Sequence, residues 1–245
     1  MSDYNSKTYG DRVAADYDDL IQIPQQATDA AVEALARLAN GGPALELGIG
    51  TGRVALPLAS RGIMVHGIDA SQRMLDRLKA KAGGDAIATT VGDFERISGG
   101  ERFRLIYVVF NTFFALLTQE AQVNCFRRVA EHLEPEGVFV IEAFVPDLTR
   151  FDRGQRVSAM QVGTDAVRLE ASLHDFARQQ VTAQLMTLTE QGVRMYPVRL
   201  RYAYPSELDL MAQLAGLRLR ERRGGWRGEP FSSQCLTHVS IYTRG

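Results

Sequence analysis

An acidic residue followed by a run of alternating glycines forms the first stretch whose residue types and spacing could bind a small polar ligand. Glu46 lies two residues before Gly48, and Gly50, Gly52 and Arg53 follow. Glycines at every second position let the backbone bend tightly and approach a ligand that a Cβ atom would displace. The N–H groups of a helix start after the run would attract an anion, whereas Glu46 suits a ligand that also carries cationic groups. The stretch therefore predicts a ligand that bears both charges.

The glycine spacing differs from that of the common phosphate-binding motifs. A dinucleotide motif reads G-x-G-x-x-G, but the third glycine comes one residue earlier in this run. The P-loop motif ends in Lys-Ser or Lys-Thr, and neither pair follows here. These differences disfavour a nicotinamide-dependent or nucleotide-sugar enzyme, which stays open as an alternative at this point.

Asp69 ends the second apolar segment, residues 63–69. The paired hydroxyls of a ribose need a hydrogen-bond acceptor, and a carboxylate at a strand end can accept from both. The alternative is a cap for a helix that starts at about Ser71. We favour the ribose role because of the distance of Asp69 from the glycine turn, and Asp69 therefore predicts a nucleoside ligand.

The elements that must position these residues alternate between apolar strands and amphipathic helices. Strands are predicted at residues 44–47, 63–69, 86–91, 103–110 and 138–145, with a turn at 134–137 before the last. Helices are predicted at 28–40, from the glycine run to about 60, at 71–81 and at 119–133, with Thr28 and Thr118 as caps. This alternation is typical of an α/β fold with a doubly wound parallel sheet, whose ligand crevice lies at the carboxyl ends of the strands.

Three motifs at the expected spacing resemble the class I S-adenosylmethionine (SAM) methyltransferases. The glycine run resembles their E-x-G-x-G-x-G motif, and Tyr9 to Asp19 resembles the arm that folds over the cofactor in many members that act on small molecules. The tripeptide Gly92-Asp93-Phe94 matches the family pattern at the end of the third strand. The resemblance covers residues 28–146 with specific motifs and the rest of the chain more loosely.

The resemblance implies SAM as the cofactor and assigns roles around it. Asp69 would bind the ribose, Asp93 the adenine amino group, and Phe94 would lie beside the adenine. A carbonyl of Phe110 or Asn111 would bind the SAM ammonium, and Tyr17 either reaches the methionine carboxylate or only packs. The implied cofactor site consists of Tyr17, Glu46, Gly48, Gly50, Gly52, Arg53, Asp69, Ala70, Met74, Asp93, Phe94, Phe110 and Asn111.

Residues 150–204 change the pattern from helical to alternating. Apolar side chains at 167, 169, 171 and 173 alternate with Arg168, Glu170, Ser172 and His174, which predicts antiparallel strands with one buried apolar face. The chain is thus divided into an arm (1–27), a SAM-binding core (28–149), an inserted antiparallel sheet that roofs the acceptor site (150–204), and a helix with a closing hairpin (205–245). The hairpin would complete a mostly parallel sheet of seven strands.

The resemblance implies transfer of a methyl group to a small molecule, by direct in-line displacement at nitrogen or oxygen of a metabolite, natural product or amino sugar. A non-catalytic SAM-binding module remains the other alternative. No residue is assigned as catalytic: Glu142 and His174 are geometric candidates, but Glu142 could equally bond backbone and His174 could lie in solvent. Trp226 either walls the acceptor pocket or covers the core.

The overall composition sets the remaining expectations. A net charge of −1 gives no general attraction to nucleic acid or anionic membranes, and the chain lacks the Asn/Asp-Pro-Pro-Tyr/Phe motif of nucleic-acid base methyltransferases. Cys125 and Cys235 lack metal-ligand spacing, so we expect free thiols and no bound metal. The polar first residues and the lack of a long apolar run predict a cytoplasmic monomer or homodimer without a membrane partner.

Overall fold

The computed structural model describes residues 4–21, 23–94, 97 and 99–245, so residues 1–3 and 22 of the predicted arm lie outside the described residues. In the described part, the α-helices are α1 (Thr8–Val13), α2 (Tyr17–Leu20), α3 (Gln25–Ala39), α4 (Ala55–Ala59), α5 (Gln72–Lys79), α6 (Gln119–His132) and α7 (Pro205–Leu214). The β-strands are β1 (Ala44–Leu47), β2 (Val65–Asp69), β3 (Ala88–Val91), β4 (Phe103–Val108), β5 (Leu133–Phe144), β6 (Gln155–Val162), β7 (Ala166–Asp175), β8 (Gln180–Thr189), β9 (Gly192–Arg201), β10 (Leu217–Arg223) and β11 (Thr237–Arg244). None of these helices is long and apolar enough to cross a membrane.

Seven strands form one sheet in the order β10-β11-β5-β4-β1-β2-β3. The strands from β3 to β5 in this order are parallel, whereas β11 runs antiparallel to β5 and β10 antiparallel to β11. From β1 the sheet continues through β2 to β3 on one side, and from β4 it continues through β5 on the other, so the strand order reverses between β1 and β4. Ligands of such sheets bind at this switch point, outside the carboxyl ends of the strands. The predicted doubly wound, mostly parallel sheet is confirmed.

Packing on both faces of the sheet explains why its central strands are apolar. All four residues of β1 are buried. One face carries an aromatic cluster in which Phe126 lies 5.3 Å from Phe139 and 5.5 Å from Tyr242, measured between ring centroids. The other face is filled by aliphatic side chains, among them Leu35 and Leu58. The parallel core is thereby held rigidly enough to fix the strand ends that form the crevice.

Several local features differ from the sequence-based expectations. Helix α3 begins at Gln25, so Thr28 lies inside the helix and the predicted cap is wrong; its hydroxyl instead accepts a hydrogen bond from Arg53. Helix α4 has only five residues and contains Pro57, whose missing N–H limits helix growth. The predicted turn at residues 134–137 belongs to β5, which begins already at Leu133. The cap at Thr118 is confirmed, because its side chain accepts from the N–H of Ala121 at 3.1 Å.

Strands β6 to β9 form a separate antiparallel sheet, which we call the roof sheet. The predicted strands are confirmed, but the prediction of which β7 face is buried is wrong. Ser172 and His174 are buried at 4% and 8% exposure, whereas Leu173 between them is 59% exposed. Val157 and Met195 share the outer face with Leu173 and are also exposed. The polar residues of β7 thus share the inner face with apolar residues of β8 and β9, among them Ala183 and Val198.

Candidate active site

The glycine turn between β1 and α4 has a backbone conformation that favours glycine. Gly48, Gly50 and Gly52 have φ angles of 72°, 56° and 81°. A Cβ atom on Gly48 would lie 2.3 Å from Cγ2 of Thr112, whereas a Cβ atom on Gly50 would meet no atom within 4 Å. Because Gly50 also lines the cavity described below, the turn presents bare backbone to a ligand there.

The carboxylate of Asp69, at the end of β2, joins the glycine turn to α5. Its Oδ2 accepts a hydrogen bond from the N–H of Gly50 at 2.8 Å, and its Oδ1 accepts one from the N–H of Ser71 at 2.9 Å. Ser71 itself caps α5 through its side chain. Burial raises the pKa of Asp69, and the two N–H groups oppose that rise. Each carboxylate oxygen keeps a further lone pair, so Asp69 can still accept from a ligand.

A cavity of about 480 Å³ extends from the carboxyl ends of the strands to the roof sheet. This volume is typical of small-molecule sites. The cavity brings together ten of the thirteen residues predicted around the cofactor: Tyr17, Gly48, Gly50, Asp69, Ala70, Met74, Asp93, Phe94, Phe110 and Asn111. These residues come from the arm and from five separate segments of the core, which meet only in the folded chain.

Glu46, Gly52 and Arg53 are not among the described residues that line this cavity. Glu46 is 3% exposed and accepts a hydrogen bond from the Tyr107 hydroxyl at 2.9 Å. Burial raises the pKa of Glu46 to about 8. Arg53 donates to Thr28 and lies over the ring of Phe110, 5.4 Å from its centroid. Because β1 is buried on both faces, the structure places Glu46 beneath the glycine turn rather than at the cavity wall.

A strained turn follows β4 at the cavity wall. Phe110 and Asn111 have φ angles of 56° and 64°, in the left-handed region that is unfavourable for residues with a Cβ atom. The N–H of Phe110 donates to Oε2 of Glu142 at 2.8 Å, and the N–H of Asn111 donates to the Glu142 carbonyl at 3.2 Å. The Asn111 side chain accepts from the N–H of Phe144 at 2.7 Å. Strand β5 thereby holds the turn in place.

Trp226 completes this arrangement from the loop between β10 and β11. Its Nε1–H donates to Oε1 of Glu142 at 2.7 Å, so each oxygen of that carboxylate accepts an N–H bond. The indole also packs, partly buried, against the aliphatic side of the core. Of the two roles considered for Glu142, the structure shows the bond to backbone. The Glu142–Trp226 pair therefore fixes the strained turn.

The arm carries three tyrosines that line the cavity, Tyr4, Tyr9 and Tyr17. Burial raises the pKa of Tyr17 to about 12 and raises the pKa of Tyr9 further. Both phenols are thus neutral at physiological pH and present uncharged aromatic rings to a ligand. The predicted position of the arm over the cofactor crevice agrees with this placement.

Carboxylates attach the arm to the core. Asp11 accepts a hydrogen bond from the Ser71 hydroxyl at 2.7 Å, next to Asp69 in sequence. Asp18 accepts from the Thr51 hydroxyl at 2.6 Å and forms an ion pair with Lys81 at 2.8 Å. Both attachments lie beside the predicted cofactor-binding segments, so the arm and the cavity wall are mechanically connected.

The arm is also attached to the roof sheet. Asp16 forms an ion pair with Arg194 at 2.9 Å and accepts from the Tyr196 hydroxyl at 2.8 Å. Arg168 of β7 donates to the backbone carbonyl of Leu20 at 3.1 Å. The arm therefore bridges the core and the roof sheet on the side of the cavity formed by its tyrosines.

His174 is buried in the roof and does not lie in solvent, which was one of its two predicted environments. Its Nε2 lies 2.7 Å from the Tyr202 hydroxyl. The ring lies between Phe151 and Phe176, with centroid distances of 4.6 and 4.1 Å. Burial lowers the pKa of His174, so the imidazole is neutral at pH 7. Its Nδ1 is buried without a hydrogen-bond partner among the described residues.

Sequence reasoning missed the polar residues that the roof sheet contributes to the cavity, including Arg156, Glu170, Arg199 and Tyr202. The alternation along β7 indicated a strand, but it assigned the apolar side chains to the crevice. Only the three-dimensional placement of the sheet, with the polar side of β7 inward, reveals these residues. Of the four, only Glu170 has a signal in the sequence, the polar half of the alternation from 168 to 174.

Comparison with known proteins identifies the class to which this fold and cavity belong. A family model described as a methyltransferase domain matches residues 44–137, from β1 into β5. The CcbJ methyltransferase from Streptomyces caelestis is 40% identical, and its solved structure matches with a TM-score of 0.93 over 99% of this chain and 100% of that one. The cypemycin N-terminal methyltransferase of a Streptomyces species is 28% identical over 206 residues, 84% of each chain.

A further solved structure shares the fold at lower identity. CalS10 from Micromonospora echinaspora, an amino pentose methyltransferase involved in calicheamicin biosynthesis, is 21% identical, with a TM-score of 0.70 over 94% of this chain and 95% of that one. A doubly wound sheet with an antiparallel closing strand, a bare glycine turn and acidic strand ends defines a methyltransferase core.

The chain belongs to the class I SAM-dependent methyltransferases. It is an enzyme that uses SAM as its cofactor and methylates small molecules. Membership in this class excludes the nicotinamide and nucleotide-sugar alternatives and the non-catalytic module. The bare backbone at Gly50 and the carboxylate acceptors at Asp69 and Asp93 fit a cofactor that has a ribose and an adenine but no phosphate.

Proposed function

We propose that this enzyme methylates an amine nitrogen of a small natural product. The observation that carries the proposal is that the two bases suggested by the sequence, Glu142 and His174, are held within the fold, while Glu170 in the same cavity suits a cationic acceptor, as argued below. Both oxygens of Glu142 accept N–H bonds. The buried His174 ring lies tilted between two phenylalanines, with Nε2 beside the Tyr202 hydroxyl and with Nδ1 enclosed and unpartnered among the described residues. An oxygen or carbon acceptor needs a base as it reacts, whereas an amine that has lost its proton to water does not.

The names of two relatives support a nitrogen acceptor. The cypemycin enzyme is named for an N-terminus, and CalS10 is named as an amino pentose methyltransferase. The cavity that joins the core to the roof sheet has room beside the predicted cofactor residues for a second small molecule.

In the proposed complex, the thirteen predicted residues act in groups, of which one, Gly48, Gly50, Ala70 and Met74, lines the space for the cofactor. Asp69 accepts from the ribose hydroxyls, Asp93 accepts from the adenine amino group, and Phe94 packs beside the adenine. A carbonyl of the strained turn at Phe110 and Asn111 accepts from the cofactor ammonium. Tyr17 closes the cavity from the arm. Glu46, Gly52 and Arg53 support the site from beneath the glycine turn.

When bound, SAM supplies a methyl group activated by its sulfonium. The protein contributes binding and orientation: the fixed turns hold the cofactor at the strand ends, and the roof sheet holds the acceptor nitrogen in line with the methyl group. Such positioning alone lowers the barrier by several kcal/mol, about 7–11 in favourable intramolecular systems. The arm and its tyrosines exclude water from the cavity.

A mass-spectrometric screen tests this proposal. The native enzyme with SAM is incubated with amino sugars, peptides with free N-termini and the matched compounds in which a hydroxyl replaces the amine. We expect the mass gain of one methylene group only in the amines. Methylation of the hydroxyl compounds, with the amines unchanged, would refute nitrogen as the acceptor.

The remaining expectations about partners stay predictions. We expect the enzyme to act without a nucleic-acid or membrane partner, to be a monomer or a homodimer, and to be cytoplasmic. The division of the chain into arm, core, roof insertion and closing hairpin at residues 27, 149 and 204 is likewise a prediction.

A further inference from the structure

Glu170 is a carboxylate on the inner face of the roof sheet that is not used by the protein itself. It lies on β7, opposite Ser158 of β6 and Leu185 of β8, and it is half-buried. Its side chain lines the cavity. Within the described residues, Glu170 has neither a hydrogen bond nor an ion pair. Its carboxylate is therefore available to a ligand that enters the cavity.

Two arginines near Glu170, Arg168 and Arg194, are engaged elsewhere. Arg168, two residues away on the same strand, donates to the backbone carbonyls of Asp19 and Leu20. Arg194 forms its ion pair with Asp16 of the arm. Arg156 lines the same cavity opposite Ser172, and no ion pair joins it to Glu170. Glu170 thus faces the cavity as a carboxylate of the roof sheet that none of these arginines neutralises.

On the side of β8 and the arm, the neighbours of Glu170 are apolar and aromatic. Leu185, its neighbour across the sheet, packs in a cluster with Tyr9 and Tyr17 of the arm. Side chains directly opposite each other in a sheet have Cβ atoms about 5 Å apart, so Glu170 borders the same space as these tyrosines. The faces of neutral aromatic rings attract cations. A carboxylate beside phenol rings is therefore complementary to an organic ammonium group.

We propose that Glu170 binds the positively charged amine of the methyl acceptor. This inference rests on the proposed function and specifies the part of the acceptor that the roof recognises. The acceptor nitrogen is cationic before it loses its proton and again after it gains the methyl group. A carboxylate at this position therefore favours the bound substrate and the charge that develops on nitrogen during the reaction.

The test uses two probes of the same shape, tyramine and tyrosol, in which a hydroxyl replaces the amine of tyramine. Calorimetry is done with the native protein saturated with S-adenosylhomocysteine. We expect tyramine to bind at least about tenfold more tightly than tyrosol, because a charged hydrogen bond is worth about one such factor or more. Glu170→Gln, which keeps the shape and removes the charge, should abolish this preference.

Glu190→Gln is the matched control, since Glu190 lies exposed in the turn between β8 and β9. It removes the same charge from the same sheet and should keep the preference for tyramine. SAM titrations of both variants show whether their cavities are folded. Equal affinity of the native protein for both probes, including no binding of either, would overturn the inference, as would a preference that survives in Glu170→Gln.

Failure of this inference is distinguishable from failure of the proposed function. Methylated amines in the screen, together with unchanged tyramine binding in Glu170→Gln, leave the nitrogen acceptor standing and reject Glu170. A tyramine preference that depends on Glu170, together with methylation of hydroxyl compounds only, keeps the cation site and rejects nitrogen as the reacting atom.

Discussion

Asp69 makes two backbone hydrogen bonds at the cavity wall and has lone pairs left for a ligand. We expect Asp69→Asn to weaken SAM binding by about 10- to 100-fold, because each hydrogen bond to a charged acceptor contributes about 1.5–3 kcal/mol. Calorimetry measures the dissociation constant. Asp76→Asn, on the exposed side of α5, is the control and should leave it unchanged. Native affinity in Asp69→Asn would contradict the ribose assignment.

Glu46 makes the stability of the folded protein depend on pH, in a direction that follows from its raised pKa. Its pKa is raised to about 8 in the folded protein by burial, against about 4.3 in the unfolded chain. The folded state therefore holds this proton more tightly, and the free energy of unfolding falls as pH rises from about 4.3 to about 8. Glutamine stays neutral at every pH. In Glu46→Gln we therefore expect the free energy of unfolding to fall less with rising pH, by on the order of a few kcal/mol.

Urea unfolding of the native protein and Glu46→Gln at pH 5 and pH 8 measures this effect. The variant should gain stability relative to the native protein as the pH rises. Glu33→Gln, on the exposed face of α3, should follow the native protein at both values. Parallel pH dependences of the native protein and Glu46→Gln would show that Glu46 is already ionised in the folded state.

Among the elements, the strained turn after β4 depends on the Glu142–Trp226 pair. We expect Trp226→Phe to lose the indole bond while keeping most of the ring packing, and so to allow Glu142 and the turn to move. SAM affinity should fall about 3- to 10-fold, the equivalent of one hydrogen bond, with little change in melting temperature. A drop in melting temperature with native SAM affinity would indicate that Trp226 serves the core alone.

The arm is the second element whose attachment can be tested. Asp16→Asn removes the charge that pairs with Arg194 and weakens the bond from Tyr196. Because the arm covers the cavity, we expect SAM to dissociate up to about tenfold faster, by stopped-flow displacement, and the difference to shrink at high salt. Asp19→Asn, which changes an exposed neighbour, should behave as the native protein. Equal SAM dissociation rates in all three proteins would show that the attachment of the arm to the roof sheet does not control cofactor exchange.

The elements also show how far sequence reasoning reaches. Strands β1, β2 and β4, the cap at Thr118 and the hairpin between β8 and β9 follow from local patterns that burial on both faces or turn chemistry impose. The inward face of β7 does not follow, because on this strand the polar side chains face inward and Leu173 is exposed on the outer face. Local alternation determines that a strand has two faces, but only tertiary placement decides which one meets the cavity.

At the scale of the whole molecule, the cavity walls come from segments far apart in sequence. The acidic strand ends and the glycine turn were predictable because parallel strands align their carboxyl ends at one edge. The position of Glu170 in the cavity wall and the position of Glu46 beneath the turn were not predictable from the sequence. Both depend on how the roof sheet and the core pack. The molecule thus combines strand ends whose cavity-lining residues are readable from motifs with a cavity wall, on the roof sheet, that is readable only from the fold.

A crystal structure with S-adenosylhomocysteine tests the central placement most directly. The ribose hydroxyls should lie within hydrogen-bond distance of Asp69, the adenine beside Phe94, and Glu46 should remain buried with Tyr107 and out of contact with the ligand. A nucleoside bound away from Asp69, or with Glu46 turned outward to hold it, would contradict the site described for this chain.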